Sequence, residues 1–157
     1  MKAASQKEIK EELITKSPSQ LLQLCLRLIK YKKENKELLT YLLFEAHDEQ
    51  TYIKGIQREV DSQFEEMNRS NIYFEKKTLR KTLRLINKHI KYSGKKETEV
   101  ELLIYFCQKF KNSGIPIHKS PVLNNIYQRQ IIKINKAIQM LHEDLQHDYS
   151  LEMELLV

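Results

Sequence analysis

The amino-acid sequence predicts an all-α fold of about seven helices, and three observations lead to this prediction. Apolar residues recur every three or four positions along nearly the whole chain of 157 residues, which is the spacing of one helix face. The chain has only three glycines and three prolines, too few for the turns of an all-β fold or for phosphate-binding loops. Leu, Ile, Lys, Glu and Gln dominate the composition, and these residues suit helices.

Two helices are predicted at the start of the chain. Residues 6–16 form a short first helix. A second helix begins at Ser17-Pro18, because serine suits the N-cap and proline the first helical position, and Gln20 can complete a capping box. It extends to about residue 33, and its apolar side chains are expected to be buried. They are Leu21, Leu24, Cys25, Leu28 and Ile29.

The third and fourth predicted helices differ in how much apolar surface they carry. Residues 35–46 form the third helix, and the run from Leu38 to Phe44 leaves it little polar surface. A helix that is apolar nearly all round is expected to be buried on several sides. The fourth helix, residues 48–67, has one narrow apolar stripe and is expected to cover the core from outside.

Three further helices are predicted in the second half of the chain. The fifth, residues 74–92, stops at Ser93-Gly94, where glycine supplies a left-handed C-cap. The sixth, residues 97–112, is the second nearly all-apolar helix and ends at Ser113-Gly114. The last begins at Ser120-Pro121 and continues as one helix to residue 149, a length of about 40 Å at 1.5 Å per residue.

A diverged internal repeat sets the predicted arrangement of these helices. The segment 36–42 (KELLTYL) resembles the segment 100–106 (VELLIYF), and shorter echoes precede both. A self-similar period of this length indicates one supersecondary unit used twice. We therefore predict a single all-α domain, residues 1–157, with four parts. They are a capping helix (1–16), a first three-helix unit (17–68), a second three-helix unit (72–149) and an apolar tail (150–157).

This arrangement resembles in architecture an α-solenoid of the armadillo or HEAT type, in which stacked helices share a core. The period is longer than the repeats of those families, and their signature residues are absent. An antiparallel bundle with pseudo-twofold symmetry fits the same pattern. The sequence is compatible with both arrangements. It is also compatible with two expectations for the tail, which either folds back onto the core or inserts into a partner or a second copy.

Charge and cysteine content narrow the class of protein. The formal net charge is +6, which permits an acidic partner such as nucleic acid without requiring one. Cys25 and Cys107 lie far apart in apolar helical stretches, so we expect two reduced, buried thiols in a cytoplasmic protein. The N-terminus has no apolar run typical of a signal peptide, and no stretch approaches the ~20 residues that span a bilayer.

The best candidate for a functional site is the fifth helix. Between Phe74 and Lys96 there are nine Lys or Arg residues and one acid, Glu75. Five of the cations recur at spacings of four and three, which places them on one helix face, about 200° from the apolar stripe. The whole set is a candidate anion- or partner-binding face. Its residues are Lys77, Arg80, Lys81, Arg84, Lys88, Lys91 and Lys95.

Other chemistry has weaker signals. Asp144, His147 and Asp148 share a helix face, but His142 lies five residues from His147 and the spacing of a zinc site is missing. The sequence has neither a nucleophile motif nor a Walker A loop. We therefore predict no catalytic residue, no metal, no cofactor and no small-molecule ligand.

The predicted function is that of a non-enzymatic helical protein-interaction or scaffold module. The alternative is a nucleic-acid-binding protein that uses the fifth helix for contacts to the phosphate backbone. The expected partner is another protein or a second copy, because acidic segments at 45–67 and 139–157 could dock on the basic helix of another copy. The sequence predicts no membrane span.

Overall fold

A computed structural model of the chain describes residues 1–156. These residues form eight α-helices and no β-strand, which confirms the all-α prediction. They divide into two compact units, an N-terminal unit of residues 1–44 and a C-terminal unit that begins at Glu45. The division falls before the fourth helix, whereas the repeat places a division between residues 68 and 72.

Three helices and the first four residues of a π-helical turn make up the N-terminal unit. The helices are α1 (Gln6–Ile14), α2 (Pro18–Tyr31) and α3 (Lys33–Thr40), and the turn Tyr41–Glu45 follows α3. The predicted capping box begins α2, because the backbone N–H of Gln20 donates to Ser17 Oγ at 3.3 Å and that of Ser17 donates to Gln20 Oε1 at 2.9 Å. The helix α2 packs against α3.

The burial predicted for this unit is wrong. None of the residues of α1, α2 and α3 is buried. On α2, Leu21 and Ile29 are half-buried, but Leu24, Cys25 and Leu28 are exposed. Three short helices cannot enclose a core of their own, so most of the apolar surface of α2 stays uncovered.

The third helix was also expected to be buried on several sides, and this prediction is wrong as well. The helix α3 ends at Thr40, and the apolar residues beyond it lie in the π-helical turn. Tyr41 is buried there, but Leu42, Leu43 and Phe44 are exposed. The two copies of the sequence repeat, residues 36–42 and 100–106, are therefore not equally buried.

The C-terminal unit is built around one central helix. Its helices are α4 (Glu49–Glu65), α5 (Ile72–Ser93), α6 (Lys96–Asn112), α7 (Pro121–Ile138) and α8 (Glu143–Glu154). The helix α6 packs against α4, α5 and α7, and Leu103, Phe106 and Phe110 on it are fully buried. This confirms the prediction that the sixth helix is buried on several sides, and it makes α6 the core of the unit.

Two glycines stop helices where the sequence predicts it. Gly94 follows α5 with a φ of 68°, and Gly114 follows α6 with a φ of 75°. Both values lie in the left-handed region, which glycine adopts without steric cost. The chain can therefore reverse tightly at both positions.

The single long helix predicted for residues 121–149 is wrong, because the chain breaks between α7 and α8. His142 caps α8, and its Nδ1 accepts a hydrogen bond from the backbone N–H of Asp144 at 3.4 Å. The side chain of Gln146 donates to the carbonyl of Leu141 at 2.7 Å and so satisfies a group that the break leaves free. The break directs α8 back onto the unit, where Tyr149 is buried.

The end of the described chain is anchored to the C-terminal unit. Met153 and Leu156 are buried. The Tyr127 hydroxyl donates to the carbonyl of Leu156 at 2.8 Å, and Lys111 Nζ donates to the carbonyl of Leu155 at 2.9 Å. Of the two expectations for the tail, the structure therefore shows the fold-back up to residue 156. Val157 lies outside the described residues.

None of the helices formed by residues 1–156 combines the length and the apolar character that crossing a bilayer requires.

Candidate interaction surfaces

The predicted basic residues of α5 lie together on one exposed face. Leu79, Thr82, Ile86 and Ile90 are buried on the inner side of this helix. The opposite side matches the face predicted from the spacing and is called the basic face here. It consists of Lys77, Arg80, Lys81, Arg84, Lys88 and Lys91. Lys88 is half-buried, and the other five residues are exposed.

Most charges of the basic face lack a neutralising partner. Within the described chain, no carboxylate oxygen lies within 4.0 Å of the charged nitrogens of five of these residues. The sixth, Lys88, has its Nζ 6.0 Å from the ring centroid of Tyr92, at the outer limit of a cation–π contact. The five residues without an ion pair are Lys77, Arg80, Lys81, Arg84 and Lys91.

Lys95 is separated from the basic face by the end of α5. Its Nζ forms an ion pair with Glu49 of α4 at 2.8 Å. Glu49 also accepts hydrogen bonds from the hydroxyls of Ser93 and Thr98. Lys95 therefore has much of its charge committed to holding α4 against the α5–α6 turn, although it lines one cleft together with Lys91.

A polar cleft of about 310 Å³ lies at the C-terminal end of the basic face. Lys91 belongs to both, Lys95 also lines the cleft, and Lys133 of α7 and Lys96 of α6 contribute further cations. Both form ion pairs with the buried carboxylate of Glu99, at 2.7 Å from Lys96 and 3.4 Å from Lys133. Lys133 was not among the predicted residues, because its distance along the chain gives no sign that α7 packs beside α5 and α6.

A second surface lies on the N-terminal unit and is apolar. On α2, Leu22 and Leu28 are each 57% exposed, and Leu24 and Leu26 are exposed as well. A groove of about 200 Å³, called the leucine groove here, runs between α2 and α3. It is lined by Cys25, Leu28, Ile29, Asn35, Leu38, Leu39 and Leu42.

The other side of α2 carries a larger groove, called the cationic groove here, with a volume of about 590 Å³. Its lining combines leucines with cations, and no acidic side chain belongs to it within residues 1–44. At about 100° per residue, the polar positions of this lining lie opposite Cys25, and Leu24 and Leu26 lie at its two edges. The lining residues are Lys16, Ser19, Gln20, Gln23, Leu24, Leu26, Arg27 and Lys30.

The two thiols have opposite environments, and both are free. Cys107 is buried as predicted, and burial raises the pKa of its thiol to about 12. Cys25 is exposed, so the prediction that it is buried is wrong. Cys25 is exposed because it lines the leucine groove on the open surface of α2.

The described residues contain no group of three or more His, Cys, Asp or Glu side chains placed to hold a metal ion. Nδ1 of His142 lies 3.4 Å from Oδ2 of Asp144 at the start of α8, where His142 caps the helix.

No protein-family model matches the chain, and no curated protein or solved structure is significantly similar to it.

Proposed function

We propose that the chain is a non-enzymatic, cytoplasmic helical module that binds another protein through its N-terminal unit. The observation that supports this function most strongly is the exposed apolar surface of α2. Leu22, Leu24, Leu26 and Leu28 are all exposed on one 14-residue helix. A helix that is apolar on several sides ordinarily lies inside a protein or an interface.

The cost of this exposure supports a partner. Burying one leucine side chain stabilises a protein by about 1.5–3 kcal/mol relative to leaving it in water. Contiguous apolar patches beyond a few hundred Å² are uncommon on monomers and mark interaction sites. The leucine groove adds a concave seat for an apolar side chain within this patch. A partner that covers α2 would recover the free energy that the N-terminal unit alone leaves unused.

The test is affinity capture with a variant that changes only this surface. Leu22→Gln and Leu28→Gln remove two exposed leucines and keep a residue type that favours helices. The matched control, Val122→Gln with Ile132→Gln, removes two exposed apolar side chains from α7. The tagged proteins are incubated with an extract of the source cells, and bound proteins are quantified by mass spectrometry.

We expect the leucine variant to lose a protein that the native chain and the control both retain. A difference of about tenfold corresponds to 1.4 kcal/mol of binding free energy, within reach of two leucines at an interface. Equal capture by all three proteins would show that the N-terminal unit is not the binding surface. Circular dichroism checks that the helices of the variant are intact.

Nucleic-acid binding through the basic face is the second candidate function. The observation that favours it is the row of five cations without an ion pair, which continues at Lys91 into the polar cleft with Lys96 and Lys133. Contacts from such a row to a phosphate backbone release counterions, so the affinity falls steeply with salt. The row carries no feature that reads bases.

Fluorescence anisotropy with labelled single- and double-stranded DNA and RNA over a salt series tests this candidate. The variant replaces Lys77, Lys81, Arg84 and Lys88 by Glu. The control makes the same charge change at Lys54, Lys119, Arg129 and Lys136, which are exposed outside α5. Binding that the first variant alone loses would support the candidate. Equal losses of binding in the two variants would mean that net charge, and not the basic face, determines binding. Absence of binding at low salt would exclude this candidate function.

A further inference from the structure

We infer that the basic face of α5 binds single-stranded nucleic acid, and that unpaired bases stack on two aromatic side chains at its N-terminal end. This inference rests on the second candidate function and specifies the kind of nucleic acid that the face takes. The two aromatic residues are Tyr73 and Phe74, in the first turn of α5. The basic face itself consists of cations alone.

Both aromatic side chains lie on the same side of α5 as the cations. Tyr73 is 61% exposed and Phe74 is 36% exposed. At about 100° per residue, their directions around the helix are about 30° and 70° from the centre of the basic face. The buried stripe with Leu79 and Ile86 lies on the other side of the helix. The aromatic pair is therefore continuous with the row of cations.

Contacts within the first turn place the two rings beside positive charge. The ring centroids of Tyr73 and Phe74 lie 5.3 Å apart in an edge-to-face arrangement. Nζ of Lys76 lies 5.8 Å from the centroid of the Tyr73 ring, a cation–π contact. Tyr73 stays largely exposed despite both contacts, so its ring is accessible to a base. Stacking of this kind tolerates any sequence, because every base has a π-face.

The cations supply the second part of a single-strand site. Glu75 is the only acid among the 22 residues of α5, and it is buried on the side opposite the basic face. Five cations of the face form no ion pair within residues 1–156, so they are available to phosphates. From Tyr73 to Lys91 the surface is about 27 Å long, which matches roughly eight nucleotides at the 3.4 Å rise of a stacked strand. A positive track with stacking aromatics is the combination that binds single strands without sequence preference.

The aromatic pair distinguishes an unpaired strand from other polyanions. In a duplex the bases stack on one another, so their faces are not available to side chains. An anionic membrane would attract the cations, but a helix at a membrane surface inserts its apolar stripe, and the apolar stripe of α5 is buried in the core. A polyanion without bases, such as polyglutamate, offers the rings no stacking partner.

The experiment measures binding of labelled strands to the full chain by fluorescence anisotropy over a salt series. The ligands are a single strand of about 12 pyrimidine nucleotides, the same strand without its bases, and the corresponding duplex. Polyglutamate and vesicles of anionic lipid are added as competitors. We expect the single strand to bind at least about tenfold more tightly than the abasic strand, because stacking adds to the phosphate contacts. Five phosphate contacts give a slope of log K against log salt of about −3.5.

An aromatic double variant locates the stacking site. Tyr73→Gln with Phe74→Gln removes both rings from α5. The matched control, Tyr31→Gln with Phe44→Gln, removes the same two ring types from exposed positions in the N-terminal unit. We expect the α5 variant to bind the single strand at least about tenfold more weakly with an unchanged salt slope. The control should bind like the native chain, and circular dichroism checks that both variants keep their helices.

Several results would overturn the inference. Equal binding of the single strand and the abasic strand, or equal affinities of the two aromatic variants, would show that bases do not stack on these rings. If binding then still depends on Lys77, Lys81, Arg84 and Lys88, the second candidate function stands without stacking. Tighter binding of the duplex would assign the face to double-stranded nucleic acid. Displacement of the strand by vesicles or by polyglutamate at equal charge would assign it to a membrane or to an acidic protein. Absence of binding to every nucleic acid would exclude the inference together with the second candidate function.

Discussion

The hydroxyl of Tyr105 on α6 donates to both carboxylate oxygens of Asp61 on α4, at 2.7 and 2.8 Å. Lys109, one turn further along α6, places its Nζ 2.7 Å from Asp61 Oδ1. Two residues of the central helix thus hold a single carboxylate of its neighbour. The contact fixes the register of α4 on α6 with polar groups at the edge of an otherwise apolar interface.

This contact predicts acid sensitivity. Burial raises the pKa of Asp61, but hydrogen bonds from Lys109 and Tyr105 and the charge of Lys109 outweigh it and lower that pKa. A carboxyl whose pKa is lower in the folded state stabilises the fold above its unfolded pKa, near 4, and loses this contribution as the pH falls through the folded value. Asp61→Asn should therefore reduce the difference in unfolding free energy between pH 7 and pH 3.

Urea unfolding at the two pH values measures this effect. The control is Asp148→Asn, which changes an exposed carboxyl on α8. Tyr105→Phe should cost about 1.5–3 kcal/mol at pH 7 because it removes hydrogen bonds to a charged group. The account of the contact is contradicted if Asp61→Asn and Asp148→Asn have the same pH dependence.

The unequal burial of the two units predicts unequal effects of leucine substitutions. Leu103 of α6 is fully buried, so Leu103→Ala should lower the free energy of unfolding by about 2–5 kcal/mol. Leu28 of α2 is 57% exposed, and Leu28→Gln should change it by no more than about 0.5 kcal/mol. Thermal or urea denaturation measures both. A large loss for Leu28→Gln would mean that this side chain is covered within the chain.

Local sequence information is sufficient to predict where several helices begin and end. Ser17 with Gln20 and the two stopping glycines act through the backbone within a few residues, so helix ends follow from the sequence. The basic face follows from helical spacing alone. Burial on α2 does not follow, because it depends on which helices cover a face, and apolar spacing is the same for a core and for a binding surface.

Two further features depend on contacts distant in sequence. The break before α8 is stabilised by His142 and Gln146, and neither proline nor glycine marks it. Lys133 joins the polar cleft through the packing of α7, which no spacing within α5 can show. The pairing of Lys95 with Glu49 likewise depends on a distant contact, and it neutralises much of the charge of a residue that was predicted to belong to the basic face.

The two cysteines should react at very different rates with a thiol reagent such as DTNB. Cys25 is exposed and should react within minutes at pH 8. Cys107 is buried with its pKa raised to about 12, so it should react only when the C-terminal unit opens. The Cys25→Ser variant should keep only the slow phase, and urea should accelerate that phase. Two fast thiols would contradict the burial of Cys107.

Deletion of residues 151–157 should destabilise the C-terminal unit. Met153 and Leu156 are buried, and each loss of a buried side chain of this size costs about 2–5 kcal/mol. We expect a lower Tm and an unchanged mass per particle in light scattering. The matched variant Leu151→Gln with Leu155→Gln changes only exposed positions and should leave Tm unaltered. Loss of a dimer on deletion would instead place the segment in an interface.

The burial of the Tyr127 hydroxyl predicts a loss of stability in alkali. Burial raises the pKa of this hydroxyl to about 12, with a smaller contribution from Cys107. A group whose pKa is higher in the folded state stabilises the fold below its unfolded pKa, near 10 for tyrosine, and this contribution fades as the pH rises from 10 toward 12. The unfolding free energy should therefore fall over this range.

Tyr127→Phe separates the hydrogen bond from the ionisation. At pH 8 the variant should lose about 1 kcal/mol, because the carbonyl of Leu156 no longer receives its donor. Between about pH 10 and pH 12 it should lose less further stability than the native chain, since phenylalanine cannot ionise. Urea unfolding across this range measures both effects, with Tyr31→Phe, at an 83% exposed position, as the control. Parallel pH curves for the native chain and Tyr127→Phe would mean that the alkaline loss of stability arises from other groups. The first of these to test is the Cys107 thiol, with the variant Cys107→Ala.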